Sequence, residues 1–170
     1  ISTNIWDAKR ISIPCNTSYN TIMNPFGFVV FNLTKTERIS AGDRKRYGID
    51  VRTVRPTAVY GPGDANQRVL YKFITRALQG EPLRIDGDGS MALDFTYVDD
   101  TANGIFRVAT IDAAKGETFN IARGQSETLS TAVSIISEVI GDVEGEYGEV
   151  PDHIPNRCTL DVTKARELIG

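Results

Sequence analysis

Beyond the first thirty-odd residues, apolar positions recur in blocks whose period alternates between that of a helix and that of a strand. Residues 34–47 carry helix formers and end at Gly48, a suitable left-handed stop. Residues 49–54 alternate at period two, and Pro56 closes them as a strand. Val69, Phe73, Ile74, Ala77 and Leu78 return at helical spacing, with Gly80 ending that helix. Leu83-Arg84-Ile85 reads as a short strand leading into a Gly87-Asp88-Gly89 turn. Residues 94–98 read as extended. Asp99 or Asp100 then reads as the N-cap of a helix over 102–107, because either carboxylate can accept from the unpaired amides of a first turn. Residues 118–122 form another strand, 129–140 an amphipathic helix stopped by Gly141, and 163–169 a short last helix. Alternating strands and helices predict an α/β class.

The start of the chain reads differently. Residues 1–24 show no sustained period, contain Pro14, and carry five Asn, Ser or Thr among the six residues after Cys15. The apolar run 26–31 has the β-branched and aromatic content of a buried strand. We therefore expect an atypical segment over 1–33 and a domain over 34–170.

The length, 170 residues, is about that of one domain. A chain of this size buries roughly 68–70% of its unfolded surface, so its folding requires neither disulfides nor a metal. Cys15 and Cys158 lack metal-ligand spacing, and the lone His153 excludes a multi-histidine site. The longest apolar run is too short to cross a bilayer, and no signal-peptide pattern opens the chain. The expected setting is the cytoplasm, with no membrane partner. Charge is uneven: residues 1–60 carry nine Lys or Arg against four acids, and residues 61–170 carry ten against eighteen. A net negative chain without a basic stripe is a poor nucleic-acid binder. The Arg44-Lys45-Arg46 cluster is local and reads as a solvated helix face.

Glycine pairs are the first candidate chemistry. Gly61/Gly63 and Gly87/Gly89 each provide the first two glycines of a dinucleotide fingerprint, but Asn66 and Ala92 stand at the third place. Neither pair joins a strand directly to the first turn of a helix, as phosphate cradling requires. A Gly-Lys-Ser/Thr loop is absent as well. The expectation is that this chain holds no dinucleotide cofactor of its own.

Three stretches, in order, carry a resemblance. The first runs from Tyr47-Gly48 through Arg55-Pro56-Thr57 to Tyr60-Gly61-Pro62-Gly63. The second is Ala77-Leu78-Gln79-Gly80-Glu81-Pro82-Leu83, followed by Gly87-Asp88-Gly89-Ser90 and Asp94-Phe95-Thr96-Tyr97-Val98-Asp99-Asp100. The third is Thr118-Phe119-Asn120-Ile121 with the closing stretch from Asp161-Val162-Thr163-Lys164 to Leu168-Ile169-Gly170. Over roughly residues 37–170 the set closely resembles the C-terminal half of the NAD-dependent epimerase/dehydratase family, extended short-chain dehydrogenases that remodel nucleotide-linked sugars.

The resemblance implies an α/β fold made of a partial Rossmann-type sheet remnant and the small C-terminal substrate-binding lobe. It implies a UDP-, dTDP- or GDP-linked sugar as partner, with NAD as the cofactor of the parent family. It places Tyr60 in the wall of the substrate cleft and Arg68 near a nucleotide-facing helix start. Tyr97 would stack on a nucleobase, and Arg157 would contact phosphate. For each, a packed ring or a surface ion pair is the competing role. Arg55 reads as the partner of a buried acid, Asp88 as a turn residue, and His153 as a loop residue.

Two departures bear on activity. The family pairs a tyrosine with a lysine four residues later, the lysine making the phenolate available as a base. Here Lys35 follows Phe31; an ungapped alignment instead puts Val29 and Leu33 at the two places with Glu37 at a family acid, and Pro25-Phe26-Gly27 resembles Pro-Tyr-Gly without the hydroxyl. All three readings lose the tyrosine, so no catalytic residue is expected. On the substrate side, Leu93 stands where the family carries an arginine that contacts the diphosphate, and leucine cannot replace that charge-assisted fork.

The expected function is therefore a truncated, non-catalytic relative that binds nucleotide sugars. One alternative is the C-terminal half of an active enzyme whose Rossmann half lies elsewhere. Another is an oligomeric interaction module, since strands such as 49–54 and 118–122 present unpaired edges without their neighbours. A homo-oligomer is expected on this last reading, which is compatible with the first.

Overall fold

The computed structural model describes residues 21–24, 27–31, 46–48, 50–150 and 159–170. These residues sort into two units, each discontinuous in sequence. The first takes its described residues from 1–56, 99–121 and 162–170, and the second comprises 57–98 with 122–161.

The first unit is built on a four-stranded sheet. Its strands are β1 (Thr21–Asn24), β2 (Gly27–Phe31), β3 (Val51–Pro56) and β8 (Thr118–Ile121), in the order β1-β2-β3-β8. β1 and β2 are antiparallel, whereas β2–β3 and β3–β8 are parallel, with Val54 opposite Phe119. Helix α2 (Val98–Thr110) lies in this unit from Asp99 onward, and a 3-10 turn (Asp112–Ala114) and helix α4 (Thr163–Ile169) complete it. Val54, Val108, Phe119, Ile121 and Ile169 form its core. Gly104 lets α2 approach β8 closely, because a Cβ there would meet Ile121 Cγ2 at 2.7 Å.

A buried guanidinium ties this unit together. Arg52 donates through Nε and Nη2 to Asp50 Oδ2 at 3.0 and 2.8 Å, and through Nη1 to the carbonyls of Val108 (2.7 Å) and Ile111 (3.1 Å). Those carbonyls lie at the C-terminal end of α2, where backbone acceptors run out of helical donors and positive charge is favoured. Arg52 thus makes a buried pairing with an acid, and Arg55 lies exposed on the same strand.

The second unit holds strands β4 (Val59–Tyr60), β5 (Leu83–Asp86), β6 (Ala92–Leu93), β7 (Thr96–Tyr97), β9 (Glu127–Thr128) and β10 (Gly145–Gly148). They pair two by two: β4 with β7 and β5 with β10 in parallel, β6 with β9 antiparallel. Helices α1 (Val69–Leu78) and α3 (Leu129–Ile140) close over Phe73, Ala77, Leu83, Ile85, Leu93, Phe95, Leu129 and Ile136. Local sequence sets their ends. The Gly80 and Glu81 amides donate to the Ala77 and Arg76 carbonyls at 3.1 and 2.9 Å, a Schellman closure with Pro82 just beyond. Thr128 Oγ1 accepts from the Thr131 amide at 3.0 Å and caps α3.

Several elements differ from the sequence expectation. Helix α2 starts at Val98, directly after β7, so Asp99 and Asp100 lie inside its first turn instead of capping it. There they face the positive end of the helix, where acids are favourable. β3 runs from Val51 to Pro56, shifted toward the C-terminus, because Pro56 pairs with Ile121 at the strand end. β1 and β10 were not expected. Arg46 and Tyr47 are helical, and the rest of the predicted 34–47 helix lies outside the described residues.

Candidate functional site

The aromatic part of the candidate site grows from the pairing of two short strands. β4 and β7 run parallel with Tyr60 opposite Tyr97. The Tyr60 ring meets Phe95 edge-on at 6.3 Å and 88°, and Tyr97 at 5.6 Å and 62°, both favourable quadrupolar arrangements. The three rings climb from the core outward: Phe95 is buried, Tyr60 half-buried, and Tyr97 37% exposed. Tyr60 packs against the core of the second unit and sits between the other two rings.

The loop after Tyr60 delivers Arg68 to the same place. Asp64 organises it: Oδ1 accepts from the Asn66 amide at 3.1 Å and Oδ2 from the Arg68 amide at 3.0 Å. Ala58 (φ 36°) and Gln67 (φ 48°) are held in the left-handed region on either side, a cost of order 1–3 kcal/mol each that surrounding structure must offset. Arg68 stands at the N-cap of α1 without a side-chain cap, and its Nη1 reaches back to the Val59 carbonyl at 3.2 Å. A guanidinium carries five donors in a planar fork. The structure thus brings Arg68 to β4, the strand that carries Tyr60. Arg157 lies outside the described residues, as do His153, Lys35, Glu37 and Leu33.

Two neighbouring residues gain definition from the structure. Leu93 is 9% exposed and belongs to the core of the second unit, so its side chain is committed to packing. Asp94 beside it is 2% exposed and accepts backbone amides from Gly124 and Leu160, a role the sequence reading missed. Arg123 was also missed; its guanidinium meets Glu127 at 3.1 Å. Asp88 is a turn residue as expected: Oδ1 accepts the Ser90 amide at 2.9 Å. Hydrogen bonding from the Ser90 side chain, then from its backbone, lowers the Asp88 pKa below the ordinary aspartate value.

Neither glycine pair is built as a dinucleotide cradle. A Cβ on Gly61 would meet Val98 Cγ1 at 2.5 Å, and one on Gly89 would meet Ser130 Oγ at 2.2 Å. One on Gly87 would meet Val150 Cγ2 at 2.6 Å. These glycines make room for the protein's own side chains. Gly87 and Gly89 join β5 to β6 and precede no helix. Gly61, Gly87 and Gly89 thus do not fit the cradle that the pyrophosphate of NAD requires. Val29 and Phe31 lie on strand β2. Among the described residues no group of His, Cys, Asp and Glu is placed to hold a metal, and no helix is long and apolar enough to cross a membrane.

Comparison with known proteins sets this geometry in context. The profile of the NAD dependent epimerase/dehydratase family matches residues 34–122. An uncharacterized UDP-glucose epimerase of Bacillus subtilis is 28% identical over 169 residues, which is 99% of this chain and 52% of the relative. UDP-glucuronate 4-epimerase of Thermodesulfobacterium geofontis is 30% identical over 126 residues, 73% of this chain and 38% of the relative. This chain thus spans about half the length, or less, of these curated relatives. Among solved structures, UDP-glucose 4-epimerase of Thermotoga maritima with UDP-glucose superposes with a TM-score of 0.74 at 30% identity, covering 78% of this chain and 44% of that one. UDP-glucuronic acid 4-epimerase of Bacillus cereus, in complex with UDP-glucuronic acid and NAD, gives 0.73 at 25% identity over 78% and 43%.

Proposed function

We propose that this chain, which belongs to the NAD-dependent epimerase/dehydratase family, is a nucleotide-sugar-binding part of such an enzyme and carries out no hydride chemistry through its own residues. The observation that carries the reading is the convergence of Tyr60, Tyr97 and Arg68 on paired strands β4 and β7. An exposed aromatic face beside a guanidinium is a natural seat for a base and its phosphates, since rings stack and Arg matches phosphate with a planar fork. Arg157 supplies the second phosphate contact in this reading. The ligand class is a UDP-, dTDP- or GDP-linked sugar; UDP-sugars bound by relatives make UDP the first choice. The absence of a tyrosine at the three candidate positions and the packing role of Gly61, Gly87 and Gly89 support the non-catalytic part.

Self-association belongs to the same proposal. Leu78 (70% exposed) and Val139 (79%) leave apolar surface uncovered on α1 and α3. Two cysteines are too few for a disulfide scaffold, which supports a reducing, cytoplasmic setting.

Calorimetric titration of the chain with UDP-, dTDP- and GDP-glucose tests the ligand assignment. One of them is expected to bind in the micromolar range, with Arg68→Ala and Arg157→Ala each weakening it about tenfold. Unchanged binding in both variants contradicts the assignment.

A further inference from the structure

An aspartate or asparagine followed by glycine is open to a spontaneous reaction of the main chain. The glycine amide nitrogen attacks the preceding side-chain Cγ, since glycine has no Cβ to hinder the approach and its backbone turns freely. This chain has three such pairs: Asp86-Gly87, Asp88-Gly89 and Asn103-Gly104.

The structure commits two of them. Asp86 lies in β5 opposite Gly148 of β10, and the Gly87 amide donates to the Gly148 carbonyl at 2.9 Å. Asn103 and Gly104 lie inside α2, whose amides belong to the helical ladder, and Gly104 is pressed against Ile121. Asp88 instead stands exposed on the turn between β5 and β6, flanked by Gly87 and Gly89 at φ 76° and 80°. Among the described residues the Gly89 amide donates to no acceptor, although its carbonyl accepts from the Ser130 amide at 3.1 Å. Only this pair leaves its nucleophile uncommitted.

We propose that Asp88-Gly89 is the pair at which this chain forms a succinimide and converts to isoaspartate, with Ser90 as the brake. The Gly89 nitrogen bonds to Asp88 Cγ and gives up its proton, and the carboxyl hydroxyl leaves with a proton as water. Water then adds back at either imide carbonyl. Opening the Cγ–N bond regenerates aspartate; opening the bond to the main-chain carbonyl leaves the chain linked through the β-carboxyl. The water lost is regained, and nothing is oxidised or reduced. The neutral carboxyl is the form that sheds water, and Ser90 opposes it. Its amide donates to Asp88 Oδ1 at 2.9 Å, and its side chain bonds the same carboxylate, lowering the Asp88 pKa. The β-linkage lengthens the turn by a methylene next to the Gly89 and Met91 carbonyls, which receive the Ser130 and Leu129 amides at the start of α3. The inference is independent of the nucleotide-sugar reading.

The test is prolonged incubation of the full chain at neutral pH, folded and in urea. Isoaspartate is located by peptide mapping and quantified by methyl transfer from a protein-isoaspartyl methyltransferase. In the folded chain position 88 is expected to convert about tenfold faster than 86 or 103. Ser90→Ala is expected to speed it about two- to threefold. In urea Asn103 is expected to lead, because ammonia leaves a neutral amide more readily than water leaves an ionised carboxyl. A folded chain that converts Asp86 or Asn103 as fast as Asp88 overturns the proposal. So does the same order of rates in urea and in the folded chain, which would place the preference in local sequence alone. A folded Ser90→Ala chain no faster than wild type overturns the brake, and the wild-type comparison decides the site without that variant.

Discussion

Tyr60 and Tyr97 stand opposite each other on parallel strands, their rings crossing at 62° with centroids 5.6 Å apart. The inner ring is fixed by Phe95 and the outer one reaches solvent. Removing the outer ring takes away a contact worth about 1 kcal/mol together with any surface offered to a base. Tyr97→Ala is expected to raise the Kd for a UDP-sugar roughly tenfold while thermal unfolding shifts little. Tyr60→Phe keeps the ring ladder and is expected to bind within about threefold of wild type. Equal losses in the two variants would assign the effect to the Tyr60 hydroxyl and contradict the stacking role.

Arg52 links three parts of the first unit through one buried guanidinium. It joins Asp50 to two carbonyls at the end of α2, and replacing it leaves a partly buried acid and both acceptors short of a donor. Arg52→Met is expected to cost about 3 kcal/mol, the usual consequence of breaking one side of a buried pair. Urea unfolding measures it, and a loss below about 1 kcal/mol would contradict the assignment.

Much of this architecture was legible in the sequence. Helices α1 and α3 followed from helical spacing with Gly80 and Gly141 as stops, and α4 and β8 were expected close to where they lie. The failures have physical causes. β10 is exposed at every position and shows no hydrophobic alternation. Arg52 was overlooked because Val51 to Val54 are all buried, so the strand has no polar face to announce an inward guanidinium. In the candidate site, Tyr60, Arg68 and Tyr97 came from the family resemblance, and the structure adds the β4–β7 pairing that sets Tyr60 opposite Tyr97. Asp94 was hidden because its partners are backbone amides, which leave no mark on the sequence.

Gly61 has a conformational and a steric reason to be glycine. Its φ is 143°, and a Cβ would sit 2.5 Å from Val98 Cγ1. Gly61→Ala is expected to destabilise the protein by about 2–3 kcal/mol. Adding Val98→Ala should recover only the steric part, because the backbone strain persists. Full stability of the single variant in urea unfolding would show that the turn relaxes and that Gly61 serves another purpose.

Asp88 gives a pH-dependent check on the β5–β6 turn. Its pKa is lowered chiefly by the Ser90 side chain, so the turn is favoured above the unfolded carboxylate's pKa and loses that support as pH falls through the lower folded value. NMR titration of the Asp88 carboxyl is expected to show its midpoint moving up, toward the ordinary aspartate range, in Ser90→Ala. An unmoved midpoint would contradict the hydrogen-bond origin of the shift.

The most direct test of the whole account is a pair of calorimetric titrations on the same preparation, one with UDP-glucose and one with NAD. Micromolar binding of UDP-glucose with no saturable heat from NAD is the predicted result. Saturable NAD binding at micromolar concentration, with UDP-glucose silent, would contradict it.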